Sequence, residues 1–112
     1  MQSALLSIFS DLHERGALKS SDVANITGKS AATVSRWVNG QAEPHPKTQI
    51  LISELRYIVD RLAEFYSPRK VRLWLYSRHP LLNDKIPIEL IFEGRADEVI
   101  VAIEQLSESA YL

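Results

Sequence analysis

No cysteine occurs in this 112-residue chain. Disulfides and thiolate metal sites are therefore excluded. Histidine is scarce: His13, His45 and His79 stand far apart, without the spacing of metal ligands. The four glycines all fall where a helix should stop or turn, so none builds a phosphate-binding loop. No apolar run approaches the roughly 20 residues of a membrane span. The opening stretch MQSALLSIFSDLHERG carries Asp11 and Glu14 and lacks a basic start and a small-residue cleavage site. It does not read as a signal peptide. A soluble cytoplasmic protein with no membrane contact is expected. No nucleophile has a base near it in the sequence, so neither an enzyme nor a cofactor or metal is expected.

A large excess of one charge is also missing. Thirteen Lys and Arg face fourteen Asp and Glu, for a net charge of −1. Coating nucleic acid by bulk charge is excluded. The distribution says more. Arg61 to Lys85 holds six basic residues against two acidic, whereas Glu89 to Leu112 holds six acidic against Arg95 alone. The acidic end is either a solvated face or a surface shaped for a basic partner.

What is present is apolar periodicity: 46% of residues are hydrophobic, spread along the whole chain, which argues against disorder. The spacing predicts an all-α fold. Leu5, Leu6, Ile8, Phe9 and Leu12 mark a first helix stopped at Gly16. Ser20 or Ser21 caps a second, with Val23, Ala24 and Ile26 inward, broken by Gly28. Ser30 caps a third through Trp37, ended by Asn39-Gly40. Pro44 and Pro46 make residues 41–46 a linker. A long helix over about Lys47 to Tyr66 follows, with Leu51, Leu55, Ile58, Leu62 and Phe65 as its stripe. Ser67-Pro68 restarts helix through Tyr76, Pro87 begins another that ends at Gly94, and Asp97 and Glu98 open the last. The β-branched run Val99 to Ile103 leaves a strand as the alternative there. The expected division is a helix-turn-helix module over 1–46 and a helical module over 47–112, joined through the long helix.

Residues Ser20 to Asn39 fit a helix-turn-helix: Ala24 at the helix crossing, Gly28 at the left-handed turn, and Val23, Ile26, Val34 and Trp37 joining the helices. The pattern resembles phage-repressor-like (Xre-type) DNA-binding domains. That resemblance places Ala31, Ala32, Ser35 and Arg36 toward bases and Lys29, Ser30 and Thr33 toward phosphates, with Arg36 able to grip guanine bidentately. A helix-turn-helix kept as scaffold, without strong DNA binding, stays open.

The block WLYSRHPLL (Trp74 to Leu82), the PIELI helix with its following Gly94, and the short aromatic-aliphatic end resemble the toxin-binding domain of Xre/MbcA/ParS-type antitoxins. With the N-terminal motif, the likeness spans almost the full chain. It implies an antitoxin whose cognate toxin is a RES-domain enzyme acting on NAD, neutralised by covering its active site. It also implies binding to operator DNA in its own promoter and homo-oligomers. The corresponding toxin-binding set is Trp74, Tyr76, Arg78, Leu81, Glu104, Glu108, Tyr111 and Leu112. Residue by residue, Trp74 and Leu75 are most simply core. The terminal Tyr111-Leu112 pair either packs back or inserts into a partner, since a solvated end gains nothing from it. The remaining alternative is a stand-alone regulator dimerised by its C-terminal helices.

Overall fold

The computed structural model describes residues 3–110. Seven α-helices follow one another among them: α1 (Ser3–Gly16), α2 (Ser20–Thr27), α3 (Ala31–Val38), α4 (Pro46–Leu62), α5 (Pro68–Leu75), α6 (Pro87–Phe92) and α7 (Ala96–Ala110). A 3-10 turn, Pro80–Leu82, lies between α5 and α6. No strand forms among the described residues. The only extended pairing among the described residues is His79 with Lys85, which closes the loop around that turn. Val99 to Ile103 is helical, as the acidic first turn of α7 favours.

Helix α4 is the axis of the fold. Ile52, Leu55, Ile58, Val59 and Leu62 on it are all fully buried. It packs against α1 and α2 on one side and α6 and α7 on the other. The inward stripe is therefore wider than the sequence suggests: Ile52 and Val59 join it, while Leu51 and Phe65 are only half-buried. The helix is also shorter than expected. Glu64 and Phe65 close turns onto Arg61 and Leu62, and helix ends there. Pro68 disfavours helical backbone in the residue before it, so a break must precede α5.

One core runs through both halves. Leu12, Val23, Ile26, Val34 and Trp37 from the first three helices, with Leu18 from the α1–α2 connection, join Val71, Leu75, Leu90, Ile91, Val99 and Ile103 from the last three around α4. Two pairs of charges, Arg56 with Asp11 at 2.8 Å and Arg15 with Asp60 at 2.7 Å, tie α1 to α4 along its edge.

Two glycines matter in different ways. Gly28 takes φ +69, and a Cβ there would lie 2.9 Å from Phe92 Cε1, so the turn between α2 and α3 is covered by α6. Gly16 is not the left-handed stop that its position suggests. It is the last helical residue, and Ala17 takes the positive φ of 53 instead. Gly16 is small because a Cβ there would come within 3.1 Å of the buried Val59 side chain.

Candidate nucleic-acid interface and partner surfaces

Helix α3 has one inward and one exposed face. Val34 and Trp37 point into the core, while Lys29, Ser30, Ala31, Ala32, Ser35 and Arg36 are exposed and Thr33 is half-buried. Ser30 caps the helix, its Oγ accepting from the Thr33 N–H at 3.1 Å. That hydroxyl is thus partly used inside the protein. Arg36 reaches back to donate to Thr33 Oγ1 at 3.3 Å, which aims its guanidinium toward the N-terminal end of the helix.

Helix α2 starts differently from the sequence reading. Lys19, not Ser20 or Ser21, is the N-cap, because Asp22 reaches back and accepts from the Lys19 N–H at 2.7 Å. Asp22 is the one buried charged side chain among the described residues, 2% exposed. Arg72 on α5 donates to it in a salt bridge, and the Tyr76 hydroxyl donates to its other oxygen. Asn25 donates to the Tyr76 hydroxyl at 3.3 Å, Arg72 donates to the Ala17 carbonyl at 3.3 Å, and its guanidinium lies 5.0 Å over the Tyr76 ring. Burial pushes the Asp22 carboxyl up, but hydrogen bonds from Arg72, Tyr76 and the Lys19 backbone outweigh it and hold the group below the usual carboxylate value. Burial and the bond to Asp22 push the Tyr76 hydroxyl up. No sequence signal paired Asp22 with residues 50 and 54 positions away.

The toxin-binding candidates do not form one patch. Trp74 is 8% exposed and stacks on His79, centroids 4.3 Å apart, with His79 Nε2 2.8 Å from the Trp74 carbonyl. Tyr76 is committed to Asp22. Arg78 is exposed and donates to the Asp84 carbonyl at 3.0 Å. Leu81 is 55% exposed at the mouth of a cleft of about 260 Å³ between the 3-10 turn and α7, facing Val101, which is 53% exposed. Glu104 and Glu108 are exposed on α7. Tyr111 and Leu112 lie outside the described residues. Val101 was missed by the sequence reading, although it falls off the inward stripe of α7. Ile50 and Tyr57, 62% and 45% exposed along one face of α4, were also missed. With Pro46, Gln49, Ser53, Glu54 and Ile100 they line an open groove.

No known family profile matches the chain. Individual proteins do. Mycobacterial cidal antitoxin MbcA, from Mycobacterium bovis and from Mycobacterium tuberculosis, is 29% identical over 110 residues, 98% of this chain and 97% of the relative. A probable mycobacterial cidal antitoxin of M. tuberculosis is 30% identical over 91 residues, covering 81% of this chain and 77% of that protein. The crystal structure of the M. tuberculosis MbcT–MbcA toxin–antitoxin complex contains a chain that superposes with a TM-score of 0.81 at 30% identity, over 96% of this chain and 97% of that one. The chain belongs to the mycobacterial cidal antitoxin family. The likeness to MbcA covers both the α2–α3 pair and the α5–α7 half, so neither is an addition to a shorter antitoxin core. The all-helical MbcA-type architecture is the one the sequence predicts.

Proposed function

We propose that this antitoxin binds and neutralises a protein toxin, a RES-domain enzyme that degrades NAD, by covering its active site. The observation that carries the reading is the full-length likeness to an antitoxin solved together with its toxin. The proposed contact surface is the side of the 3-10 turn and α7: Arg78, Leu81, Glu104 and Glu108, continued in sequence by Tyr111 and Leu112. Trp74 serves it from beneath, by stacking on His79 at the base of the turn that carries Leu81, whereas Tyr76 is held against Asp22 on α2. The acidic face of α7 suits the basic rim of a pocket made for an anionic substrate. Burying the terminal Tyr and Leu in the toxin would contribute on the order of 1.5–3 kcal/mol each.

The same chain is proposed to bind DNA in its own promoter through the exposed face of α3 and to self-associate through the Ile50–Tyr57 face of α4. The α3 face alone would also serve a stand-alone regulator, and protection of cells separates the two readings. A variant ending at Ser109 is co-expressed with the toxin gene's product and scored for growth and NAD level. It is expected to protect far less than the full chain at equal abundance and melting temperature. Equal protection removes the terminus from the inhibitory surface. If the full chain itself gives no protection against its operon partner, the antitoxin reading fails and the regulator stands.

A further inference from the structure

Most arginines of this chain are already committed. Arg15, Arg56, Arg61, Arg72 and Arg95 each face a carboxylate. Arg69 and Lys70 on α5 are exposed and make no hydrogen bond or ion pair among the described residues. They share this with Lys29, while Arg36 is held only by a hydroxyl. Helix α5 carries three cations and no acid, and Asp22 neutralises only Arg72.

Position adds to charge. Arg72 touches the Ala17 carbonyl and the carboxylate that receives the Lys19 N–H, so α5 lies across the start of α2. Arg69 is one turn earlier on the same face of α5 and lines one open cleft with Ser67, Lys70, Arg72, Leu73 and Tyr76. In a helix-turn-helix the first helix crosses the DNA backbone while the second enters the groove. A cationic helix fixed at the start of that first helix stands beside flanking phosphates. The exposed carboxylates of α7 are meanwhile on a different helix from these cations, which favours a basic partner there and a duplex at α5.

We propose that Arg69 and Lys70 are phosphate contacts, so that α5 extends the DNA footprint of α2 and α3 onto the C-terminal half. This rests on the DNA-binding reading above. Such contacts add affinity and salt dependence without sequence information.

The test uses the full chain, with and without its toxin, on a duplex from its own promoter and on a random duplex of equal length. Binding is measured across a salt series for wild type, for Arg69→Gln with Lys70→Gln, for Arg36→Ala and for Leu73→Ser. The double variant is expected to weaken binding to both duplexes by the same factor, on the order of tenfold at 0.1 M salt, and to lower the log K against log salt slope by about 1.8. Arg36→Ala is expected to lose discrimination between the duplexes instead. Leu73→Ser, which removes an exposed apolar side chain from the same helix, is expected to stay within twofold of wild type. An unchanged slope in the double variant, with Arg36→Ala losing discrimination, overturns the α5 footprint and leaves the DNA reading standing. Unchanged DNA binding with a weakened toxin complex in the double variant or in Leu73→Ser assigns the helix to a protein partner. No binding of either duplex by wild type, with or without toxin, overturns both.

Discussion

Asp22 shows how a single side chain can join two ends of a chain. Its carboxylate accepts from the Lys19 backbone, from Arg72 and from Tyr76, fixing the start of α2 against α5. Asp22→Asn keeps the shape but removes the charge that Arg72 faces. Hydrogen bonds to charged groups contribute about 1.5–3 kcal/mol, and Arg72, 40% exposed, regains water when its partner is lost. The expected loss is about 2 kcal/mol by urea denaturation. The pH dependence has a definite sign. The folded carboxyl titrates below its unfolded value, so its contribution is complete above about pH 4 and fades as the pH falls through the folded value. Wild type should therefore lose more stability than Asp22→Asn over that acidic range, and equal losses would show that the network carries no net stability. None of this was legible in the sequence. An Asp in the first turn of a helix has an adequate local reason to be there, and periodicity does not link it to an arginine 50 residues on. Gly28 was legible as a left-handed turn because local backbone chemistry demands it, whereas its cover by Phe92 was not.

At the level of elements, α4 separates what periodicity settles from what packing settles. Its existence and rough span follow from the apolar repeat, whereas Pro46, read as the end of the linker, is its first residue. Its true inward faces do not, because a helix flanked on both sides buries more than one stripe. Ile50 and Tyr57 are one or two positions from buried residues, and only the fold shows that they are left over. Exposed apolar side chains two turns apart on one helix are the raw material of a helix–helix seam. Ile50→Glu with Tyr57→Ser is expected to shift sedimentation of the free protein at tens of micromolar from oligomer to monomer, with melting temperature held within a few degrees. A wild type that sediments as a monomer at that concentration would exclude this seam. The candidate partner surface was half legible for a similar reason. The motif around Trp74 to Leu82 marks a segment of which only part is open: its most conspicuous residue, Trp74, is buried, while Leu81 is exposed.

On the scale of the whole molecule, the connection at residues 39–45 interrupts the helices without interrupting the core. Composition shifts and prolines report where the chain bends, not which helices share an interior. Val23, Ile26, Val34 and Trp37 pack in the same cluster as Ile52, Leu55 and Leu90. A fragment of residues 1–46 would expose those side chains at a cost of about 1.5–3 kcal/mol for each large one. It is expected to show little helix by circular dichroism and no cooperative melt, while the full chain melts in one transition by helical signal and by tryptophan fluorescence alike. A folded fragment would mean that the first three helices sustain themselves. An undivided core also governs turnover. Proteolysis acts on whichever state is transiently open, and in a chain that opens as a unit no half survives its neighbour. Everything this antitoxin does would then expire together, on a single half-life, and a cell could not clear one of its activities while sparing another.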